Sequence, residues 1–267
     1  MYSYRSEARA PALTPSIGPS GETTSAMFLL AQLSDPHIGA TWAGEGSVEG
    51  LAAAVEAVAA FRPDAVLVTG DLADHASDEE YRRLHELLAR IDAPSYLLPG
   101  NHDDRQAFND RGEPVQYSVD LGPLRLVVLD TTIPGEDGGA LDTDRLAWLD
   151  SELASAPGQP TLVAMHHPPL VLGIPVWDAI GLRPADRQAL AELLEHHPQV
   201  RRLLAGHVHR TITGEFAGRD VMTCPSTYVQ ARLNFAAREI ELTDEPGGFL
   251  LHSVVDGKVI SHVQPVR

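Results

Sequence analysis

The chain has 267 residues, enough for one large α/β domain. It carries 20 Lys+Arg against 37 Asp+Glu, and the resulting formal charge of −17 argues against a broad basic surface for nucleic acid or anionic lipid. The single cysteine, Cys224, excludes an internal disulfide and a thiolate metal cluster.

Residues 1–26 read as a disordered tail. The stretch 10–25 mixes Pro, Ser, Thr and Gly without periodicity and lacks the apolar core of a secretory signal. No apolar run approaches the roughly 18 residues of a membrane span. Together with the lone cysteine, this sets the expected location as cytoplasmic. Residues 27–267 read as one domain. A buried strand is expected over 28–33. Leu51, Val55, Val58 and Ala59 follow at helical spacing. A β-rich run over 65–69 ends in Gly70-Asp71, and Tyr81, Leu84, Leu87 and Leu88 form the next helical face. The strand at 96–98 runs into Pro99-Gly100-Asn101-His102. Another strand covers 124–129, then Leu146, Leu149 and Leu153 mark a helix. The strand at 161–165 runs into His166-His167. Leu190, Leu193 and Leu194 mark a helix that Pro184 helps start. The strand at 202–205 runs into Gly206-His207-Val208-His209. The remainder is β-rich, with strands expected over 211–216, 220–223, 249–255 and 258–263. A βα-repeating body with a β-rich end predicts two packed sheets with helices outside.

Five of these strands end in metal-capable side chains: Asp35 and His37, Asp71, Asn101 and His102, His166, and His207 with His209. Open α/β sheets bind ligands at the carboxyl ends of their strands. Any one residue alone is a cap, a turn residue or a core histidine as readily as a ligand, but five coincidences at one end of a sheet are hard to explain that way. Two divalent cations, roughly 3.5–4 Å apart in such sites, need a bridging anion, and the two oxygens of Asp71 can supply it. In Asp35-Pro-His37 and His207-Val-His209 the alternate residues of an extended segment would point the same way. Asn101 offers a neutral carbonyl oxygen, and imidazoles suit Zn, Fe, Mn or Co. Two divalent ions set against two carboxylates and a hydroxide leave one positive charge, the match for a monoanionic phosphodiester.

In order, the blocks are Asp35-x-His37, Gly70-Asp71, Gly100-Asn-His-Asp103, His166-His-Pro-Pro169 and Gly206-His-x-His209. They resemble those of the calcineurin-like metallophosphoesterases, over about residues 28–230. The resemblance implies a four-layer α/β/β/α sandwich of two mixed β-sheets flanked by helices, with a dinuclear metal site. Carried over block by block, Asp35, His37, Asp71 and His209 would hold one ion. Asp71, Asn101, His166 and His207 would hold the other, with His166 rather than His167 as the ligand. The expected reaction is in-line attack of a metal-activated hydroxide on phosphorus. His102, not needed as a ligand, is assigned to phosphate stabilisation or leaving-group protonation. Asp103 is expected either to orient His102 or to cap a following helix. Asn101, His102 and His209 are the expected substrate contacts.

Finer blocks resemble the bacterial class III cyclic-nucleotide phosphodiesterases: His37-Ile-Gly39, Gly100-Asn-His-Asp-Asp-Arg105, Leu129-Asp-Thr-Thr-Ile-Pro-Gly135 and Pro225-Ser-Thr227 with Gln230. Cyclic AMP is therefore the lead substrate. The alternatives are a glycerophosphodiesterase or a broad phosphodi/monoesterase, followed by a nuclease and a non-catalytic scaffold. The partners expected are a small phosphodiester and a second copy in a homodimer, with no nucleic-acid polymer and no membrane. Trp42 and Trp177 follow site blocks; core packing is the first reading for both and stacking on a base the second. Cys224 is expected as a small buried hydrophobe. His75, His85, His196, His197, His252 and His262 are read as surface or packing residues.

Overall fold

The computed structural model describes residues 27–44 and 46–266. The expected tail over 1–26 lies outside the described residues. In chain order, the first half forms β1 (Phe28–Leu33), α1 (Ser47–Phe61), β2 (Ala65–Thr69), α2 (Asp78–Leu88), β3 (Ser95–Leu98) and α3 (Arg105–Asp110). Next come β4 (Tyr117–Asp120), β5 (Arg125–Val128), α4 (Thr143–Ala154), β6 (Thr161–Ala164), α5 (Pro175–Ala179), α6 (Pro184–Glu195) and β7 (Val200–Ala205). The β-rich end comprises β8 (Thr213–Phe216), β9 (Arg219–Thr223), β10 (Gln230–Ala231), β11 (Leu242–Thr243), β12 (Gly248–Val255) and β13 (Lys258–Pro265).

These strands form a five-stranded sheet ordered β13-β12-β1-β2-β3 and a six-stranded sheet ordered β4-β5-β6-β7-β9-β8. Both are mixed. β1, β2 and β3 are parallel, and so are β5, β6, β7 and β9, while β12, β13, β4 and β8 pair antiparallel. The period of two along each central strand sorts side chains into separate layers. In β2, Ala65 and Leu67 face the opposite sheet, while Val66 and Val68 face α1 and α2. In β6, Leu162 and Ala164 enter the space between the sheets, and Val163 joins α4 and α6. Three apolar interfaces result, and they define the four-layer α/β/β/α order. Each fully buried Leu or Val in them contributes about 1.5–3 kcal/mol.

Local chemistry sets the helix boundaries. Ser77 and Glu80 form a reciprocal capping box at the start of α2, Asp142 caps α4, and Pro184 occupies the first turn of α6. Among the described residues, no helix is long and apolar enough to cross a membrane. Four elements, α5, β4, β10 and β11, have no counterpart in the sequence reading, whereas α3 is the helix expected after Asp103. α3 has a single buried residue, Phe108, and therefore no periodicity to read. α5 spans only five residues. β4 alternates without a buried face, and the ladder between β10 and β11 is two residues long.

Candidate dimetal centre

The carboxyl ends of β1, β2, β3, β6 and β7 meet along one edge of the sandwich. Pairing continues past β1 and β2: Asp35 N–H donates to Gly70 O at 3.1 Å and His37 N–H to Asp71 O at 2.9 Å. There the backbone turns sharply. Asp35, His37, Asp71, His207 and His209 all have left-handed φ values, between 43° and 71°. The expected extended geometry of the Asp35-x-His37 and His207-x-His209 pairs is therefore incorrect; it is these tight turns that aim both members inward. Backbone strain of this kind costs on the order of 1–3 kcal/mol per residue and clusters where function demands it. Two glycines permit the crowding. A Cβ on Gly70, itself at φ +92°, would lie 2.3 Å from His166 Nδ1, and one on Gly100 would lie 2.2 Å from Asp71 Oδ1.

The converging side chains fall into two groups sharing Asp71. In the first, Asp35, His37, Asp71 and His209 bring donor atoms within 4.8 Å of one another. His37 Nε2 and His209 Nε2 are 3.0 Å apart. Each ring presents its other nitrogen to an acceptor, His37 Nδ1 to Asp74 Oδ1 at 3.3 Å and His209 Nδ1 to Val229 O at 2.9 Å. In the second group, Asn101 Oδ1 lies 3.0 Å from His166 Nε2 and 3.1 Å from His207 Nδ1. Asp71 Oδ1 is 3.4 Å from His166 Nε2. His166 Nδ1 faces Thr69 O at 2.8 Å, and His207 Nε2 faces Ile180 O at 3.1 Å. Every one of the four imidazoles is thus fixed through its outer nitrogen and turns a lone pair inward, as metal-ligating histidines do. Lone pairs confronting lone pairs and carboxylate oxygens at 3.0–3.4 Å are repulsive unless a cation or proton stands between them. The donor set fits two divalent cations on that ground.

The charges agree with this geometry. Asp35 is fully buried, and burial lifts its carboxyl to about 7 against the pull of His166. Burial also opposes ionisation of Asp71, but His166 and His37 outweigh it and hold the carboxyl well below the usual range. His166 is the converse: burial resists its charge, yet Asp71 and Asp35 raise it to about 9. Burial and the neighbouring His37 push His209 down to about 3. Burial and the neighbouring His167 and His166 hold His207 well below its ordinary value.

His167 also lies within 4.8 Å of His166 and His207. Both of its nitrogens are occupied, however, by Thr131 Oγ1 at 2.8 Å and Asp137 O at 3.0 Å. Its ring is thus engaged away from the two groups, and the Asn101 Oδ1 is the donor that lies between His166 and His207. His102 stands at the mouth with its side chain 37% exposed. Asp103 neither orients His102 nor caps a helix. Its carboxylate accepts from Leu72 N at 3.0 Å, Ala73 N at 3.1 Å, Gly100 N at 2.8 Å and Tyr81 Oη at 2.7 Å, which locks the second and third site loops together. The N-cap of α3 is Asp104. The Asp74 carboxylate lies beside the His102 ring, its Oδ1 3.1 Å from Nδ1.

Asp74 went unread in the sequence. It is a lone carboxylate three positions after Asp71, and only the folded loop shows that His37, His102 and the Trp42 indole all converge on its Oδ1. These donors hold its carboxyl down to about 2, despite the opposing effect of burial. Trp42 is 46% exposed, so the core-packing expectation for it is incorrect. Trp177 is buried at 8% and packs edge-on against His207 at 5.7 Å. Cys224 is buried between the sheets as expected. His252 is a packing residue of a particular kind, one link in a buried polar chain. Arg202 donates to Ser261, Ser261 Oγ lies 2.6 Å from His252 Nδ1, and His252 Nε2 lies 3.0 Å from Gln32 Oε1. Gln32 Nε2 then donates to Thr69 Oγ1 at 3.0 Å, in the residue whose carbonyl fixes His166.

The fold and the paired His/Asp groups define a metallophosphoesterase. A dimetal phosphatase from Danio rerio superposes with a TM-score of 0.70 at 16% identity, over 90% of this chain and 96% of that one. Purple acid phosphatase PPD1 from yellow lupin does so at 0.66 and 17% identity, over 91% and 52%. The chain belongs to the calcineurin-like phosphoesterase family, whose model matches residues 28–211. It is similar to the 3',5'-cyclic adenosine monophosphate phosphodiesterase CpdA of Pseudomonas aeruginosa, 38% identical over 78% of this chain and 79% of that protein. It is also similar to a probable glycerophosphodiester phosphodiesterase GpdQ of Arcobacter nitrofigilis, at 33% over 72% and 73%. The cAMP/cGMP dual specificity phosphodiesterase MT0825 of Mycobacterium tuberculosis is 34% identical over 77% and 67%. The chain is therefore a metal-dependent phosphoesterase.

Proposed function

We propose that the protein hydrolyses 3',5'-cyclic nucleotides, with cAMP as the lead substrate. The observation that carries the reading is the pair of donor groups sharing Asp71, set beside an exposed imidazole. Asp35, His37, Asp71 and His209 would hold one divalent ion, and Asp71, Asn101, His166 and His207 the other. Mn, Fe, Zn and Co all suit this donor set. The ions would supply a nucleophile at neutral pH and neutralise charge on the phosphate.

The chain's own residues do the rest. The His102 N–H donates to Asp71 Oδ1 at 3.0 Å, and the His207 N–H donates to Asp35 Oδ1 at 3.0 Å, so both carboxylates are pinned from behind. In its imidazolium form, beside the Asp74 carboxylate at 3.1 Å from Nδ1, His102 can donate the Nε2 proton to the leaving oxygen. Asn101, His102 and His209 border the place where the phosphate would lie. Net charge at the site favours a diester monoanion over a monoester dianion. The acidic chain, at −17, disfavours a nucleic-acid polymer as substrate. Residues 27–267 act as one catalytic domain, and the single buried cysteine suits a cytoplasmic enzyme. A homodimer is the assembly to test by sedimentation.

The test is hydrolysis by the Mn²⁺-loaded protein of 3',5'-cAMP, 2',3'-cAMP, bis-p-nitrophenyl phosphate, p-nitrophenyl phosphate and glycerophosphoethanolamine. Turnover of 3',5'-cAMP comparable to the best diester is expected. Cleavage of the activated and glycerol diesters with none of 3',5'-cAMP would refute the substrate and favour the glycerophosphodiester reading.

A further inference from the structure

An exposed tryptophan is normally loose. Trp42 is 46% exposed, yet it is held from three sides. Its Nε1–H donates to Asp74 Oδ1 at 3.0 Å. Its ring meets the His37 ring edge-on, with centroids 5.2 Å apart at 89°, and the Tyr228 ring at 5.3 Å and 74°. Tyr228 also pins the loop that carries it: its hydroxyl accepts from Ala43 N at 3.2 Å and donates to Gly44 O. A surface aromatic immobilised in this way has already lost the rotamer freedom that ligand binding would otherwise cost.

Its position is as specific as its restraint. His37 and His209 belong to the same donor group, and the indole centroid lies 5.2 Å from one ring and 6.3 Å from the other, tilted 38° to the second. A phosphodiester seated among these imidazoles brings one of its ester substituents onto the indole. Because Asp74 already takes the indole N–H, the side chain offers substrate only its π face. That selects for a flat aromatic group and gives no hydrogen-bond readout of which base it is.

We infer that Trp42 is the nucleobase platform of the site, accepting adenine and guanine alike and favouring cyclic nucleotides over glycerol diesters. The inference rests on the cyclic-nucleotide reading above. The experiment compares wild type, Trp42→Phe and Trp42→Leu. Both variants lose the bond to Asp74, so the difference between them isolates the aromatic face. With Mn²⁺ bound, kcat and KM are measured for 3',5'-cAMP, 3',5'-cGMP, glycerophosphoglycerol and glycerophosphocholine. Stacking of this kind predicts that kcat/KM for both cyclic nucleotides falls about tenfold or more from Trp42→Phe to Trp42→Leu, mainly through KM. The ratio of cyclic-nucleotide to glycerophosphoglycerol turnover should fall with it. Equal losses on every substrate would overturn the platform, and so would a loss confined to glycerophosphocholine, which would instead assign a cation–π contact. A second readout needs no turnover: 5'-AMP should quench tryptophan fluorescence in the wild type and not in Trp42→Phe, although Trp148 and Trp177 remain. Failure of wild type to cleave cAMP would refute the substrate assignment; absence of the Trp42-dependent quench would refute the platform.

Discussion

Replacing Asp74 by alanine tests how the site is held together. Its Oδ1 lies 3.3 Å from His37 Nδ1, 3.1 Å from His102 Nδ1 and 3.0 Å from Trp42 Nε1. Removing it frees two imidazoles at once, with different consequences. His37 loses the acceptor that fixes its tautomer, and loss of such a partner weakens metal binding about 10–100-fold, or about 1.4–2.8 kcal/mol. His102 loses the carboxylate beside its Nδ1, which lowers kcat even when metal is saturating. Asp74→Asn keeps a neutral acceptor and should lose only about tenfold in affinity. The carboxyl is held down to about 2, so its contribution is complete above its ordinary value near 3.8 and is lost as pH falls through 2. The carboxylate therefore stays ionised throughout pH 5 to 9. Metal affinity is read by competition with a chromogenic chelator, and kcat at metal saturation. Affinity and kcat both within twofold of wild type in Asp74→Ala would refute the arrangement.

His102→Ala should lower kcat about 10²–10⁴-fold on cAMP and much less on p-nitrophenyl esters, whose leaving group needs no proton. Mass spectrometry of the metals should still count two; loss of metal would make His102 a ligand. Metal affinity should rise with pH from about 6 to 9, because binding must displace protons from Asp35, raised to about 7, and His166, raised to about 9. Calorimetry in buffers of different ionisation enthalpy should show that proton release, and a flat profile would contradict it. Asp103→Ala strands four buried donors, those of Leu72, Ala73, Gly100 and Tyr81, and should destabilise the fold by more than about 3 kcal/mol in urea titration. A change under 1 kcal/mol would mean that the two loops are held by something else.

Much of the layer order could be read from the chain because apolar runs such as 65–69 and 161–165 end abruptly in Asp or His. A buried strand leaves that mark when it delivers a side chain to a sheet edge. The ends of the strands were therefore legible, but the angles of the turns beyond them were not. Nothing in Asp35-Pro-His37 announces two left-handed residues. Asp103 follows His102 in sequence, which suggested a contact, yet the turn sends adjacent side chains to opposite sides of the loop. Asp74 lies outside any recognisable block and Trp42 only follows one, and the meeting of the two arises from loops that local spacing does not encode. α5 and β4 were missed for a simpler reason: each is too short for a period to emerge.

The shared carboxylate of Asp71 has a consequence for how the molecule comes into being. Asp35, His37, Asp71 and Asn101 hang from the first sheet, whereas His166, His207 and His209 hang from the second. A nascent chain that has emerged through the loop after β3 already contains four of the donors, but neither group is complete until the loop after β7 has emerged and the sheets have met face to face. Cations held by both sets would tie the two sheets together, so prying them apart would cost the binding energy of both ions at once. On that assignment, catalytic competence would itself report that the two sheets have closed on each other.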